Sequence, residues 1–270
     1  MITPSVIVII GHIVNKIFSR TSIKALFSLT FAIALTGCAT VDNTVESDPY
    51  ESFNRTMYDF NKGVDTVVLK PLAEGYDAVL PDPAKQSVSN FFSNLDEIPT
   101  AVNQLLQGKF LDATSDLGRF IINTTIGLGG LFDVATKMGI DSHSEDFGQT
   151  LGYWGVDSGP YLVLPFLGPS SGRDVFSRPV DNLVSVQNDM DHIPTRNTLH
   201  FLNLLDLRYR LLALDAQLED AVDEYSFVRD AYLMRRQFQV YDGNPPEPED
   251  LYDDECFEED ELDCDDEILD

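Results

Sequence analysis

Apolar residues recur at intervals of three and four through most of the chain, the spacing that gathers side chains on one face of an α-helix. Phe53, Met57 and Phe60 keep this spacing, with Asp48 or Ser52 placed to cap, and predict an amphipathic core helix. A proline-punctuated turn follows at residues 80–83. Residues 83–92 and 99–106 read as two separate helices. Residues 110–126 read as another, with Leu111, Leu117, Phe120 and Ile121 on one side. Glycines at 127–130 break it, and a helical pattern resumes over 131–138, before Gly139. Residues 143–157 read as a polar loop with aromatics. Residues 161–164 end at Pro165 and form at most a short strand. A helix is predicted over 175–186, with Pro179 in its first turns. The last two helices, 199–212 and 225–240, join near 218–222; the second sets Phe227, Ala231 and Phe238 against Arg229, Arg235 and Arg236. The pattern is all-α with short irregular loops.

The N-terminal apolar pattern has a different character. A short run over 25–35 follows Lys16, Arg20 and Lys24 and ends in Leu35-Thr36-Gly37-Cys38. It falls short of the ~20 residues a spanning helix needs, and its basic flank is that of a signal peptide. The small residues before the cysteine suit a lipoprotein signal, cleaved before Cys38 and acylated on its thiol. Residues 1–37 are therefore excluded from the fold, and 38–47 read as a polar tether. The apolar stretch within 1–17 is not needed by such a signal; it reads either as an early start or as a long signal. Ala39 stands where an aspartate would retain an enterobacterial lipoprotein in the inner membrane, which points to the outer membrane.

Charge changes the picture at the other end. The 270 residues carry a net charge of −27. Residues 242–270 hold sixteen acids and no base, leaving 29 acids against 18 bases in the remainder. With Pro245, Pro246 and Pro248 this composition predicts a disordered acidic tail after a helical domain at 48–241. Nucleic acid is excluded as a partner, since phosphate contacts need Lys and Arg. Cys256 and Cys264 lie in the tail without a histidine, too few ligands for a zinc site. They either close a small disulfide loop or remain free thiols.

Candidate catalysis is weak. Gly168-Pro169-Ser170-Ser171-Gly172 formally matches a nucleophile elbow, but Pro165 and Pro169 argue against the strand that an elbow requires. His143, His192 and His200 show no zinc-helix spacing and read as surface or capping residues. Gly127 to Gly130 lacks the third glycine of a dinucleotide loop and follows a helix. No cofactor is expected beyond the covalent lipid on Cys38.

The charge-free run from Phe120 to Phe132 carries a candidate site. It is too short to cross a bilayer of ~30 Å hydrocarbon, and a bend at the glycines makes an apolar hairpin suited to partial insertion. Asn123, Thr124 and Thr125 interrupt it and are placed to face a lipid headgroup. Ile121, Ile122, Ile126, Leu128 and Leu131 are placed to meet acyl chains. An ordinary buried hairpin is the alternative.

Longer motifs add a resemblance. Asp48-Pro49-Tyr50-Glu51-Ser52-Phe53-Asn54-Arg55, followed by Met57 and Phe60-Asn61, resembles the opening of the VacJ/MlaA family. Pro81-Asp82-Pro83 with Asn90-Phe91 is similar to a second family segment, with Lys85 where arginine is usual. Asn94-Leu95, Glu97, Pro99, Val102-Asn103 and Leu106-Gln107-Gly108 continue it. So do Arg119-Phe120, Asn123-Thr124, Gly127, Gly129-Gly130, Asp133-Val134-Ala135, Phe147-Gly148 and Arg173-Asp174. The match covers about 48–174 and reaches Phe238 more weakly. It implies an all-helical ring embedded in the outer membrane, lipid-anchored and facing the periplasm. Such a ring removes misplaced phospholipid from the outer leaflet through an amphipathic channel. A soluble periplasmic lipid carrier and trimeric porins are the implied partners. The resemblance sets Asn123, Thr124, Ile126, Gly127, Leu128, Gly129, Gly130 and Leu131 beside the lipid path and implies no catalytic residue. The rival reading is a structural lipoprotein that scaffolds an outer-membrane complex and moves nothing.

Overall fold

The computed structural model describes residues 48–246. The signal, Cys38, the tether, Cys256, Cys264 and residues 247–270 of the acidic tail lie outside it. The chain starts with α1 (Glu51–Val64), which passes through a π-helical turn (Asp65–Leu69) into α2 (Lys70–Val79). Arg208 grips Asp65 at that turn with two hydrogen bonds of 2.7 and 2.9 Å. Two long helices follow, α3 (Asp82–Gln107) and α4 (Phe110–Thr125). Gly108, at φ +80°, takes the left-handed position that ends α3 and lets the chain reverse. A short α5 (Val134–Lys137) and α6 (Phe147–Tyr153) lead to an antiparallel ribbon. Its strands are β1 (Tyr161–Leu164) and β2 (Gly168–Ser171), with Tyr161 opposite Ser171 and Leu164 opposite Gly168. Then come α7 (Gly172–Val184), α8 (Ile193–Leu211), a 3₁₀ turn (Leu212–Leu214), α9 (Asp215–Glu219) and α10 (Glu224–Val240).

Several boundaries correct the sequence pattern. The two helices expected over 83–106 are one: Pro99 sits inside α3. An interior proline costs about 3 kcal/mol, but α3 packs against α4 and continues through it, and Asn103 Nδ2 donates to the Pro99 carbonyl at 3.0 Å. The stretch taken as a polar loop contains α6. Asp146 caps it by accepting from Gln149 N at 2.8 Å, while the Gln149 side chain donates back to Asp146 at 3.2 Å. An aspartate N-cap before a helix was legible in the sequence. Pro179 lies in the middle of α7 rather than in its first turns.

The packing contacts close a circuit. α2 touches α8, α8 touches α3, and α3 touches α6; α10 joins α6 to the ribbon, and the ribbon returns to α1. This is the connectivity of a ring. One joint explains the repeated Phe-Asn of α1. Asn54 and Asn61 lie two turns apart on one face. Asn54 donates to the Tyr161 carbonyl at 2.9 Å and accepts from Val163 N at 2.8 Å. Asn61 donates to the Leu164 carbonyl at 2.9 Å and accepts from Phe166 N at 2.7 Å. Two side-chain amides thus satisfy the free edge of β1 as a neighbouring strand would. The companion Phe53 and Phe60, expected in a core, are half exposed.

That inversion is general. The buried apolar residues include four alanines and one cluster, Tyr161, Val163 and Tyr225, flanked by Met57, Tyr58, Tyr232 and Leu233. The buried polar residues include Asn54, Lys85, Glu97, Asn103, Gln104, Asp116, Arg119 and Asp206. Large apolar side chains such as Val67, Phe110, Leu111 and Phe176 stand outside.

Candidate functional site

The α3–α4 pair shows the inversion most clearly. On α4, Ala113, Asp116, Arg119 and Asn123 recur at helical spacing and face inward. Leu111, Leu117 and Ile121, which the spacing sets on one side of the helix, face outward; Leu111 is 84% exposed. Such an inward polar stripe is stable only if its groups are paired. Arg119 does most of this. Its Nε donates to Glu97 Oε1 at 2.7 Å, and its terminal nitrogens reach the Thr136 hydroxyl at 3.0 Å, the Ile140 carbonyl at 2.5 Å and Asp133 at 3.3 Å. Asp116 accepts from Gln104 at 2.7 Å and lies 3.1 Å from His143 Nδ1. Burial, partly offset by Arg119 and reinforced by Asp116 nearby, pushes the Glu97 carboxyl up to about 7. Asp133 is also partly buried, yet hydrogen bonds from Thr136 and Asn123 and the charge of Arg119 hold its carboxyl below the usual range.

Beyond Thr125 the chain turns sharply. Leu128, Gly129 and Gly130 have φ of 55°, 74° and 91°, three successive left-handed residues. Gly127 has no room for a side chain: a Cβ there would sit 2.1 Å from the Phe132 carbonyl oxygen. At Gly130 a Cβ would lie 2.7 Å from the Asn94 amide nitrogen. Asn123 ties the turn together. It is 3% exposed. Its Oδ1 accepts from Val134 N at 2.8 Å and Ala135 N at 2.9 Å, its Nδ2 donates to Asp133 at 3.1 Å, and its carbonyl accepts from Gly130 N at 2.8 Å.

The structure therefore divides the residues predicted to share a site. Asn123 is a buried clamp whose amide is bonded within the protein, not a headgroup contact; tertiary hydrogen bonds claimed the group that sequence reading left for a ligand. Thr124 is half buried and accepts from Asn94 at 3.0 Å. Thr125 is exposed and bonds back to the Ile121 carbonyl at 2.7 Å. Gly127 and Gly130 are buried in the turn, while Gly129 is exposed. Ile121, Ile126, Leu128, Leu131 and Phe132 form an exposed apolar rim. The alternative of a buried core hairpin does not hold for these five. Behind the rim lies a cleft of about 340 Å³ between the start of α3 and α5. Sequence reading quoted Arg119, Glu97 and Asp133 as motif residues but gave them no role; their signal was the coincidence of charged residues with the helical spacing of Asn123.

Ser170 does lie in a strand followed by a helix, contrary to expectation. Its hydroxyl is fully buried without a hydrogen-bond partner, closed off from any substrate. His143 serves Asp116, and His192 caps α8 by accepting from Thr195 N at 3.3 Å. Among the described residues no cluster of three potential metal ligands occurs.

Comparison with known proteins agrees with the motifs. A model of the MlaA lipoprotein family matches residues 46–239. The Shigella flexneri intermembrane phospholipid transport system lipoprotein MlaA is 36% identical over 239 residues, spanning 86% of this chain and 94% of its own. The Haemophilus influenzae protein of the same name is 35% identical, over 89% and 98%. An uncharacterised Rickettsia conorii protein is 38% identical over 202 residues, 72% of this chain and 78% of its own. A solved structure described as the structural basis for maintenance of bacterial outer membrane lipid asymmetry superposes with a TM-score of 0.65 at 36% identity. It covers 72% of this chain and 100% of that one.

Proposed function

The chain belongs to the MlaA lipoprotein family, and from that premise we propose that it removes mislocalised phospholipid from the outer leaflet of the outer membrane. In this reading Cys38 carries the acyl anchor, the ring sits in the membrane with its periplasmic side open, and the lipid passes to a soluble carrier. Trimeric porins hold the ring in place. No bond is broken, so the protein needs binding surfaces rather than catalytic groups.

The inverted pattern of α4 and its turn carries the proposal. A polar, ion-paired inner face and an apolar outer face suit a body whose surroundings are hydrocarbon, where every polar group must be satisfied internally. Exposed large apolar side chains gathered on one turn suit an interaction or membrane surface. No helix among the described residues is long and apolar enough to cross a membrane. The ring is then held by its rim and the Cys38 lipid rather than by a spanning segment.

The test is deletion and complementation in a Gram-negative host. Loss should raise outer-leaflet phospholipid, read as lipid accessible to added phospholipase, and the full-length gene should restore it. An unchanged lipid pool accompanied by failed assembly of an outer-membrane complex would instead establish the scaffold reading.

A further inference from the structure

Lysine pairing singles out one position. Among the described residues Lys62, Lys70, Lys85 and Lys109 each lie within ion-pair distance of a carboxylate. Among the described residues no carboxylate pairs with Lys137, an exposed residue of α5. Of the five described lysines it alone has no ion pair among the described residues. Lys137 lines the 340 Å³ cleft behind the turn, facing Gln86 and Asn90 on α3, with Leu131 and Phe132 at its mouth. The acid of the same cleft, Asp133, is engaged by Arg119 and accepts from the Thr136 N–H and hydroxyl. That leaves Lys137 as the charged group of the cleft without a partner among the described residues, beside the amides of Gln86 and Asn90 and the apolar Leu131 and Phe132.

That combination recognises an amphiphile with an anionic head. We infer that the cleft between α3 and α5 is a headgroup seat for an anionic phospholipid, its phosphate at Lys137 and its acyl chains over Leu131 and Phe132. Lysine suits this place because its long stem lies along apolar surface while the ammonium reaches the polar boundary. A zwitterionic headgroup brings its own amine to the phosphate and gains less. The inference rests on the proposed lipid transport and adds a headgroup preference to it. The occupant is a lipid rather than a free anion, because Leu131 and Phe132 give the cleft an apolar wall that a free anion would leave unused.

Native mass spectrometry of the full-length protein, in detergent with equal phosphatidylglycerol and phosphatidylethanolamine, tests it. The wild type should retain phosphatidylglycerol preferentially, by about threefold, the effect of one exposed ion pair. Lys137→Gln should equalise the two while total bound lipid and helix content stay unchanged, and ~1 M salt should do the same to the wild type. Equal retention by the wild type, or a preference surviving in Lys137→Gln, would overturn the seat while leaving lipid binding, and so the transport reading, intact. Loss of the preference in ~10 mM inorganic phosphate at matched ionic strength would mark a free-anion site instead. A wild type that retains no phospholipid at all would sink the transport reading together with the seat.

Discussion

Asn123→Ala should open the turn without unfolding the ring. The Asn123 amide holds three groups: it accepts from Val134 N at 2.8 Å and Ala135 N at 2.9 Å and donates to Asp133 at 3.1 Å. Truncation leaves the buried Ala135 N–H without that acceptor, a loss of about 1–3 kcal/mol, and removes a charge-assisted bond to Asp133. Val134 N–H keeps the Phe132 carbonyl at 3.1 Å, so its share is small. The sum is about 2–4 kcal/mol. Because the turn packs chiefly on α3 and α4, the loss should appear as local opening. Hydrogen exchange at Ala135 should then accelerate by about 30- to 1,000-fold, a factor of ten per 1.4 kcal/mol. Amides of α10, across the ring, should keep their protection. Asn123→Asp keeps the acceptor but sets a second carboxylate against Asp133, and should not rescue the turn at neutral pH. An acceleration at Ala135 below about threefold, or equal acceleration in α10, would refute the clamp.

Leu128→Asp should leave helix content unchanged, since the side chain is 67% exposed. It should impair lipid transport, because a charge at membrane depth costs about 2–4 kcal/mol; circular dichroism with the phospholipase-accessibility assay checks both halves. The Glu97 carboxyl at about 7 makes stability pH-dependent. The folded state holds this proton more tightly than the unfolded chain, so its contribution is full below the ordinary carboxylate pKa and is lost as pH rises through about 7. Asp181, raised to about 6 by burial, acts in the same direction. The lowered carboxyls of Asp133, Asp146 and Asp215 act only in stronger acid. The thermal midpoint in detergent should therefore fall from pH 5 to pH 8, and Glu97→Gln should flatten that fall; an identical slope in the variant would contradict it. Cys38→Ala should abolish metabolic labelling with palmitate and leave an uncleaved precursor at the inner membrane; retained label would refute the anchor.

The helical periodicity was legible, and so were most of the elements, because local spacing and glycine breaks dictate them. The sense of the faces was not. Leu111, Leu117 and Ile121 share one side of α4, and in water such an apolar stripe seeks a core. The opposite stripe, Ala113, Asp116, Arg119 and Asn123, was visible at the same spacing. A helix with one apolar and one charged face has no orientation of its own until its solvent is known. The motif residues held the missing information. Glu97, Arg119 and Asp133 are far apart in sequence and carry opposite charges, so an arginine of α4 reaching both acids was a geometric possibility that periodicity alone could not select. The Phe-Asn repeat of α1 shows the consequence: the phenylalanines were counted toward a core, and the asparagines, which join α1 to β1, were passed over.

An inside-out arrangement also constrains how the fold is held. Buried ion pairs such as Arg119 with Glu97, at 2.7 Å, gain little net stability over an apolar core, because desolvation offsets most of their attraction. What they supply is a requirement for one geometry, since removing either partner strands a buried charge. On the membrane position proposed above, the exterior apolar side chains would be shielded by hydrocarbon. The glycines of the turn serve its internal closure, in which several backbone N–H groups find carbonyls close by. Gly129 N reaches Thr124, Gly130 N reaches Asn123 and Phe132 N reaches Gly127, at 2.9, 2.8 and 3.0 Å. This tight closure leaves no space for a Cβ at 127 and needs left-handed backbone at 129 and 130. Leu128 shares the left-handed conformation without being glycine, a strain of about 1–2 kcal/mol. If the rim meets hydrocarbon as proposed, an exposed apolar side chain at the tip of the turn accounts for a leucine where glycine would fit the backbone better.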